Sequence, residues 1–334
     1  MLFKKREKIK TGLLILDFLR SLIPAWKDII SSIKLFLCII LGAIILLPLT
    51  SRLPVVGWDW YFFFTAHHPV NNINNPLSPF FPYTKYLLAP LMWLPWRDSL
   101  ALLSGITYLS IATGVYQSGG KYGSILLALL NPIPIFALWV GHPEGLALLG
   151  MLTNFTPLAF IKPQLTFWSF LRNKVLAFWA FFTIGLVLII WPGWLQTATG
   201  MTWNHDGSFG WQALGWPLLL VGIFLLIGAG NDPWRLIAAG CFITPDVMPY
   251  HMVALLPAIG RVKGGWKIVV WLSTWLLFVG VGLGGNFRFI NLLFPLSVYF
   301  ALQTPIGYLN NIRAILISIK KYFSIFVVIF SLSH

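Results

Sequence analysis

From residue 35 onward the chain is a succession of apolar runs separated by short breaks rich in proline, glycine and asparagine. A run of about 20 apolar residues can cross a bilayer, and helices are the economical way to keep backbone groups paired in lipid. The runs fall at 35–50, 84–96, 98–116, 122–140, 143–160, 163–172, 174–191, 212–229, 234–245, 249–260, 267–284 and 288–304. They predict an all-α, polytopic integral membrane protein, a bundle of roughly ten to twelve transmembrane helices with an elaborated first outer loop. Upstream, Ile15, Leu19, Leu22, Trp26, Ile29 and Ile33 recur at helical spacing, so 12–33 is expected to be an amphipathic helix on the inner leaflet. The stretch 312–333 is apolar but carries Lys320 and Lys321 at its middle and reads as interfacial rather than spanning. Three parts result: a basic cytoplasmic segment at 1–34, a transmembrane domain at 35–304 whose first outer loop is 51–84, and a tail at 305–334.

Composition sharpens this. Hydrophobic residues make up 58% of the 334 positions and charged residues only 10%, against about 25% charged in typical soluble proteins. Too few charged side chains remain to clothe a soluble globule. The 23 Lys and Arg against 9 Asp and Glu are unevenly placed. Lys4, Lys5, Arg6, Lys8, Lys10, Arg20, Lys27 and Lys34 precede the first long run, which puts the N-terminus in the cytoplasm. Anionic headgroups account for that cluster without a nucleic-acid partner. With this orientation Arg97, Arg172, Lys174, Arg235, Arg261, Lys263, Lys267 and Arg313 are expected on the cytoplasmic side, provided 163–172 returns the chain inward as a half-span. The longer loops, 51–84, 193–211, 244–249 and 284–288, then gather outside, where a site would sit. Cys38 and Cys241 lie in apolar stretches and read as inert buried thiols.

Carboxylates are scarce, and one kept in or at a membrane is a functional candidate. Asp98 and Asp232 read as helix caps on the inner side. Asp59 stands in Gly57-Trp58-Asp59-Trp60-Tyr61, whose rings are expected to fence it from water and favour its use as a base; a solvated aspartate in an aromatic belt is the plainer alternative. Glu144 follows His142 and Pro143, and Lys162 precedes Pro163-Gln164. Asp246, Tyr250 and His251 lie at a break between two short apolar helices, where a capped hairpin is the structural alternative. Asn204-His205-Asp206-Gly207 reads as a solvated turn. The adjacent His67 and His68 have no carboxylate or cysteine at ligand spacing, so no metal site is expected there. Arg52, Lys85 and Arg288 would be outer-side cations that invite a phosphate.

These residues carry a resemblance. Asp59 in the first outer loop, Pro76, Pro79, Pro82 and Ala89-Pro90, Gly141-His142-Pro143-Glu144-Gly145-Leu146 before Lys162-Pro163-Gln164, and Pro249-Tyr250-His251 before Leu255-Leu256-Pro257 stand in an order that resembles the GT-C superfamily of polyprenyl-phosphate-dependent glycosyltransferases. The nearest is glycosyltransferase family 87, which includes bacterial α-mannosyltransferases. The chain departs from that family at His142-Pro143-Glu144, where relatives show Gly-Gln or Gly-Asn followed by an acidic residue. The resemblance implies inverting transfer of a hexose, such as mannose, from a polyprenyl-phosphate-linked donor to a hydroxyl of a glycan or glycolipid acceptor. It implies a bacterial plasma-membrane protein with its site facing outward, Asp59 as general base and no metal or other cofactor. Substrate-binding roles then fall to His251, Tyr250, Arg288, Lys85, Glu144, His142, Lys162 and Asp246, with Arg288 first and Lys85 second for the donor phosphate. One carboxylate suffices, because a departing phosphate is already a stable anion. The rival reading is a secondary transporter or lipid flippase, whose ionisable residues would line a path through the midplane.

Overall fold

The computed structural model describes residues 57–61, 82–193, 214–244, 247–283 and 285–302. The expected surface helix at 12–33, the first span, most of the first outer loop, Asp246 and the tail lie outside them. Among the described residues every regular element is helical. In chain order these are α1 (Thr84–Met92), α2 (Trp96–Gln117), α3 (Tyr122–Leu129), α4 (Pro132–Val140), α5 (Glu144–Leu152), α6 (Thr156–Ala159), α7 (Pro163–Phe170), α8 (Lys174–Ile190), α9 (Trp216–Ala229), α10 (Pro233–Ile243), α11 (Trp266–Leu283) and α12 (Leu293–Ala301). Two 3-10 helices, η1 (Pro249–Gly260) and η2 (Gly285–Leu292), precede α11 and α12 respectively.

Local chemistry sets the starts. Asn131, Asn173 and Asp232 accept hydrogen bonds from Ile133, Val175 and Trp234 backbone N–H groups, at 2.9, 2.8 and 3.0 Å, which satisfies donors that open a helix. Pro132, Pro163, Pro233 and Pro249 occupy first positions, where a missing N–H costs nothing. Asp232 is thus the cap it was expected to be. Asp98 sits in the first turn of α2 and makes no capping bond, Pro95 holding the cap position.

The same prolines cut the apolar runs into pieces. Among the described residues only α2, with 22 residues, is by itself long and apolar enough to cross a bilayer. The expected span at 122–140 is α3 and α4, bent by 46° where Asn131-Pro132 interrupts it. The expected span at 143–160 is a hairpin. Asn154 takes φ 58°, Phe155 N–H reaches back to the Gly150 carbonyl at 2.8 Å, and α6 lies so close to α5 that a Cβ on Gly150 would come within 2.1 Å of the Ala159 nitrogen.

Which ends meet is decided by side chains. Trp60, fully buried, donates its indole N–H to Ser99 Oγ at 2.9 Å, and Tyr61 packs edge-on to Trp96 with ring centroids 5.2 Å apart. The start of α2 therefore lies at the Asp59 end of the bundle. This corrects the expected placement of Arg97 on the opposite face: α1 spans nine residues, about 14 Å at 1.5 Å per residue, too short to cross, and its Leu88 and Met92 pack with Trp60 and Leu100. Leu146 and Ile161 join that same cluster, so both limbs of the α5–α6 hairpin open at the Asp59 end. At the far end Gly120 backs onto Gly260, Lys267 donates to Ser124 Oγ at 2.7 Å and Arg261 pairs with Asp232 at 2.7 Å. Between the ends runs η1, buried from His251 to Ile259 and packed on α2, α4 and α5.

Candidate functional site

The site begins with two backbones in contact. Gly141 closes α4 in the left-handed region at φ 78°, and Gly57 N–H donates to the Trp139 carbonyl at 2.7 Å. A Cβ on Gly141 would lie 2.8 Å from Gly57 Cα. That approach lets Asp59, two residues beyond Gly57, meet His142, one residue beyond Gly141. His142 Nε2 stands 2.8 Å from Asp59 Oδ2.

Around His142 the chain has built a sandwich. The Tyr250 ring stacks on it with centroids 4.1 Å apart and planes 17° from parallel, and Phe136 stacks on Tyr250 in turn. Glu144 opens α5, where its charge faces the positive end of the helix. Its Oε1 lies 3.6 Å from His142 Nδ1 and 3.5 Å from His251 Nε2, within ion-pair range of both. His251 opens η1, and its Nδ1 accepts the Met248 backbone N–H at 2.9 Å. Lys162, buried ahead of α7, lies within electrostatic reach of His251.

Five residues singled out from the sequence, Asp59, His142, Glu144, Tyr250 and His251, thus form one connected cluster, with Lys162 beside it. Lys85 sits on α1 with its ammonium 5.1 Å from the centre of the Tyr86 ring. Arg288 belongs to η2, with its side chain outside the described part of the structure, and Asp246 lies outside the described residues. The expected fence around Asp59 is different in kind. Trp60 turns away into the core, Trp58 is 57% exposed, and the Asp59 side chain is itself 45% exposed whereas those of His142, Glu144 and His251 are at most 7%. Dryness is supplied behind Asp59 by the histidine it holds. A narrow crevice lined by Leu103, Thr107, Tyr108, Ala137 and Leu138 flanks His142, with no room for a water molecule.

Two histidines and a glutamate so close raise the question of a metal. A neutral imidazole ligates through its bare nitrogen. The Met248 N–H occupies the lone pair of His251 Nδ1, which puts the ring proton on Nε2, the nitrogen that faces Glu144. That N–H stands 3.5 Å from Glu144 Oε1 without making a hydrogen bond to it, and a protonated nitrogen is not a ligand. Among the described residues no group of three or more His, Cys, Asp or Glu side chains is arranged to hold a metal ion.

What sequence reasoning missed is the contact partner of Asp59 and the position of Arg97, which stacks on Trp96 with its guanidinium carbon 4.5 Å from the ring centre. Gly141 before His142 was the available signal for the first; nothing in the pattern signalled the second. No family model, curated protein or solved structure matches the chain.

Proposed function

We propose that this chain is a polytopic membrane glycosyltransferase that moves a hexose from a polyprenyl-phosphate donor to a hydroxyl acceptor outside the membrane. The observation that carries the reading is the Asp59–His142 pair, a half-exposed carboxylate with one oxygen held at 2.8 Å by a buried imidazole. His142 fixes Oδ2, which leaves Oδ1 open to an incoming alcohol. Asp59 takes the hydroxyl proton as the acceptor oxygen bonds to the anomeric carbon. The bond from that carbon to the phosphate oxygen breaks, its electron pair stays with the phosphate, and Asp59 returns its proton to water from its exposed face. Cations would steady the departing phosphate. Arg288 and Lys85 keep that assignment from the resemblance, and Arg97 joins them as a cation at the Asp59 end.

Membranes carrying the full chain, labelled polyprenyl-phosphate hexose and product mass analysis provide the test. Asp59→Asn is expected to lower transfer by about 10²- to 10⁴-fold, the range for loss of a general base, while the protein accumulates as wild type. Undiminished transfer by that variant overturns the assignment. The transporter reading draws support from the buried ionisable cluster. Solute uptake that depends on His142 or Glu144, in membranes that move no sugar, would select it.

A further inference from the structure

Around Asp59 the 57–61 turn carries more aromatic surface than a base requires. Residues 58–61 make one helical turn, in which successive side chains point about 100° apart. Trp60, fully buried, marks the inward direction. Counting round from it, Tyr61, Trp58 and Asp59 follow at about 100°, 160° and 260°. Trp58 is therefore the outermost side chain of the turn, flanked by Tyr61 and Asp59, and the exposures agree: 57% for Trp58, 39% for Tyr61 and 45% for the Asp59 side chain. The two outward rings are braced. Tyr61 stacks with Trp58, centroids 6.4 Å apart and planes 30° from parallel, and packs edge-on to Trp96 at 5.2 Å, on which Arg97 lies in turn. A ring already held in place gives up little further freedom when a ligand settles on it.

A ligand that uses both the rings and the open Asp59 oxygen needs a hydroxyl beside a compact face of C–H groups. The face of an aromatic ring is its negative side, so it attracts the electropositive hydrogens of C–H groups. A pyranose ring joins the two features, with hydroxyls around its rim and C–H groups on its face. An open-chain polyol has the hydroxyls without the face, and the alcohol end of a lipid has no such face beside its hydroxyl. We infer that Trp58 and Tyr61 form the acceptor subsite, Trp58 receiving the C–H face of a pyranose ring and so presenting one of its hydroxyls to Asp59. The acceptor is thus a saccharide. The assignment rests on the transferase reading and deepens it by naming the acceptor class. Tryptophans at a membrane surface also seat a chain among headgroups; Trp93, 77% exposed just beyond α1 at the same end, measures that effect.

Saturation-transfer NMR on the full-length protein in nanodiscs, with empty nanodiscs as the blank, reads ring contact without any reaction. The probes are the methyl pyranosides of mannose, glucose and galactose, with mannitol as the open-chain control. Saturation is expected on the C–H protons of at least one pyranoside and only weakly on mannitol. In Trp58→Ala the pyranoside signal is expected to fall about three- to tenfold, the range for losing one aromatic contact, with Trp58→Phe keeping most of it and Trp93→Ala matching wild type. Should Trp58→Ala fail to fold, Trp58→Leu, apolar but without a ring, takes its place. No signal from any of the pyranosides overturns the inference, as does a mannitol signal of equal strength, a signal undiminished in the Trp58 variant, or an equal fall in Trp93→Ala. Where sugar transfer is observed, Trp58→Ala is expected to raise the acceptor KM by the same factor and leave the donor KM unchanged. A signal as expected in a protein that moves no sugar sinks the transferase reading alone; transfer with an acceptor KM unmoved in Trp58→Ala sinks the subsite alone.

Discussion

At the scale of single residues the site depends on two that carry no side chain. Gly141 sits at φ 78° and Gly57 at φ 81°, a region in which an L side chain is strained by roughly 1–2 kcal/mol, and at Gly141 the Cβ would also strike Gly57 Cα and Trp60 Cβ, each at 2.8 Å. Trp60 is fully buried and bonded to Ser99, so it has little freedom to yield. Gly141→Ala is therefore expected to cost about 2–4 kcal/mol, strain and overpacking together, seen as a lower thermal midpoint in detergent, and to separate Asp59 from His142. Gly185 in α8 provides the contrast. A Cβ there meets nothing within 4 Å, so Gly185→Ala is expected to stabilise by about 0.4–1 kcal/mol through the unfolded chain. The chemistry at this scale was partly legible in the sequence. Asp59, Glu144, Tyr250 and His251 stood out because ionisable groups are scarce among so many apolar ones. Their joining was not legible, because the contact that brings Asp59 to His142 spans 83 positions and is made by two glycine backbones that carry no hydropathy signal.

At the scale of elements, proline and asparagine told where helices stop, and hydropathy told that they are apolar. The expected run at 84–96 corresponds to α1, 98–116 to α2 and 174–191 to α8, each within a few residues. What periodicity could not convey is the direction of the chain after each break. The run at 143–160 looks continuous, yet α5 and α6 fold back on each other about Asn154, because Gly150 lets the Ala159 backbone lie against it. The run at 249–260 is a twelve-residue 3-10 helix with Pro257 inside it; runs of that length are uncommon, and no spacing rule anticipates one. The fold-back has a consequence for the site, since α5 carries Glu144 at its start and α6 returns the chain to Lys162. Gly150→Ala is expected to destabilise by about 1–3 kcal/mol, as overpacking of a close contact does, and to lower transfer by shifting Glu144 and Lys162. A thermal midpoint unchanged from wild type would mean that the hairpin is not packed this tightly.

Taken as a whole, the molecule has two ends of different charge, and the difference orients the proposed enzyme. At the far end Lys121, Arg235, Arg261, Lys263 and Lys267 stand with Asp232, which pairs with Arg261. At the site end Arg97, Lys162 and, on α1, Lys85 stand with Asp59, Asp98 and Glu144. Basic residues near helix ends favour the cytoplasmic side, so in the proposed enzyme the far end is expected to face inward and Asp59 outward. Arg97, moved to the site end by the Trp60–Ser99 and Tyr61–Trp96 contacts, is the residue on which the charge-based reading and the structural reading disagree, and it makes the sharpest probe. In a Cys38→Ser, Cys241→Ala background that retains transfer, Arg97→Cys is expected to react with a membrane-impermeant maleimide in intact cells. Lys121→Cys and Lys263→Cys, both exposed positions, are expected to react only after the membrane is opened. The reverse pattern would turn Asp59 toward the cytosol and remove the outward-facing transferase. Labelling of all three in intact cells would mean that the two ends are not separated by a bilayer, and the bundle would then have to be read without one.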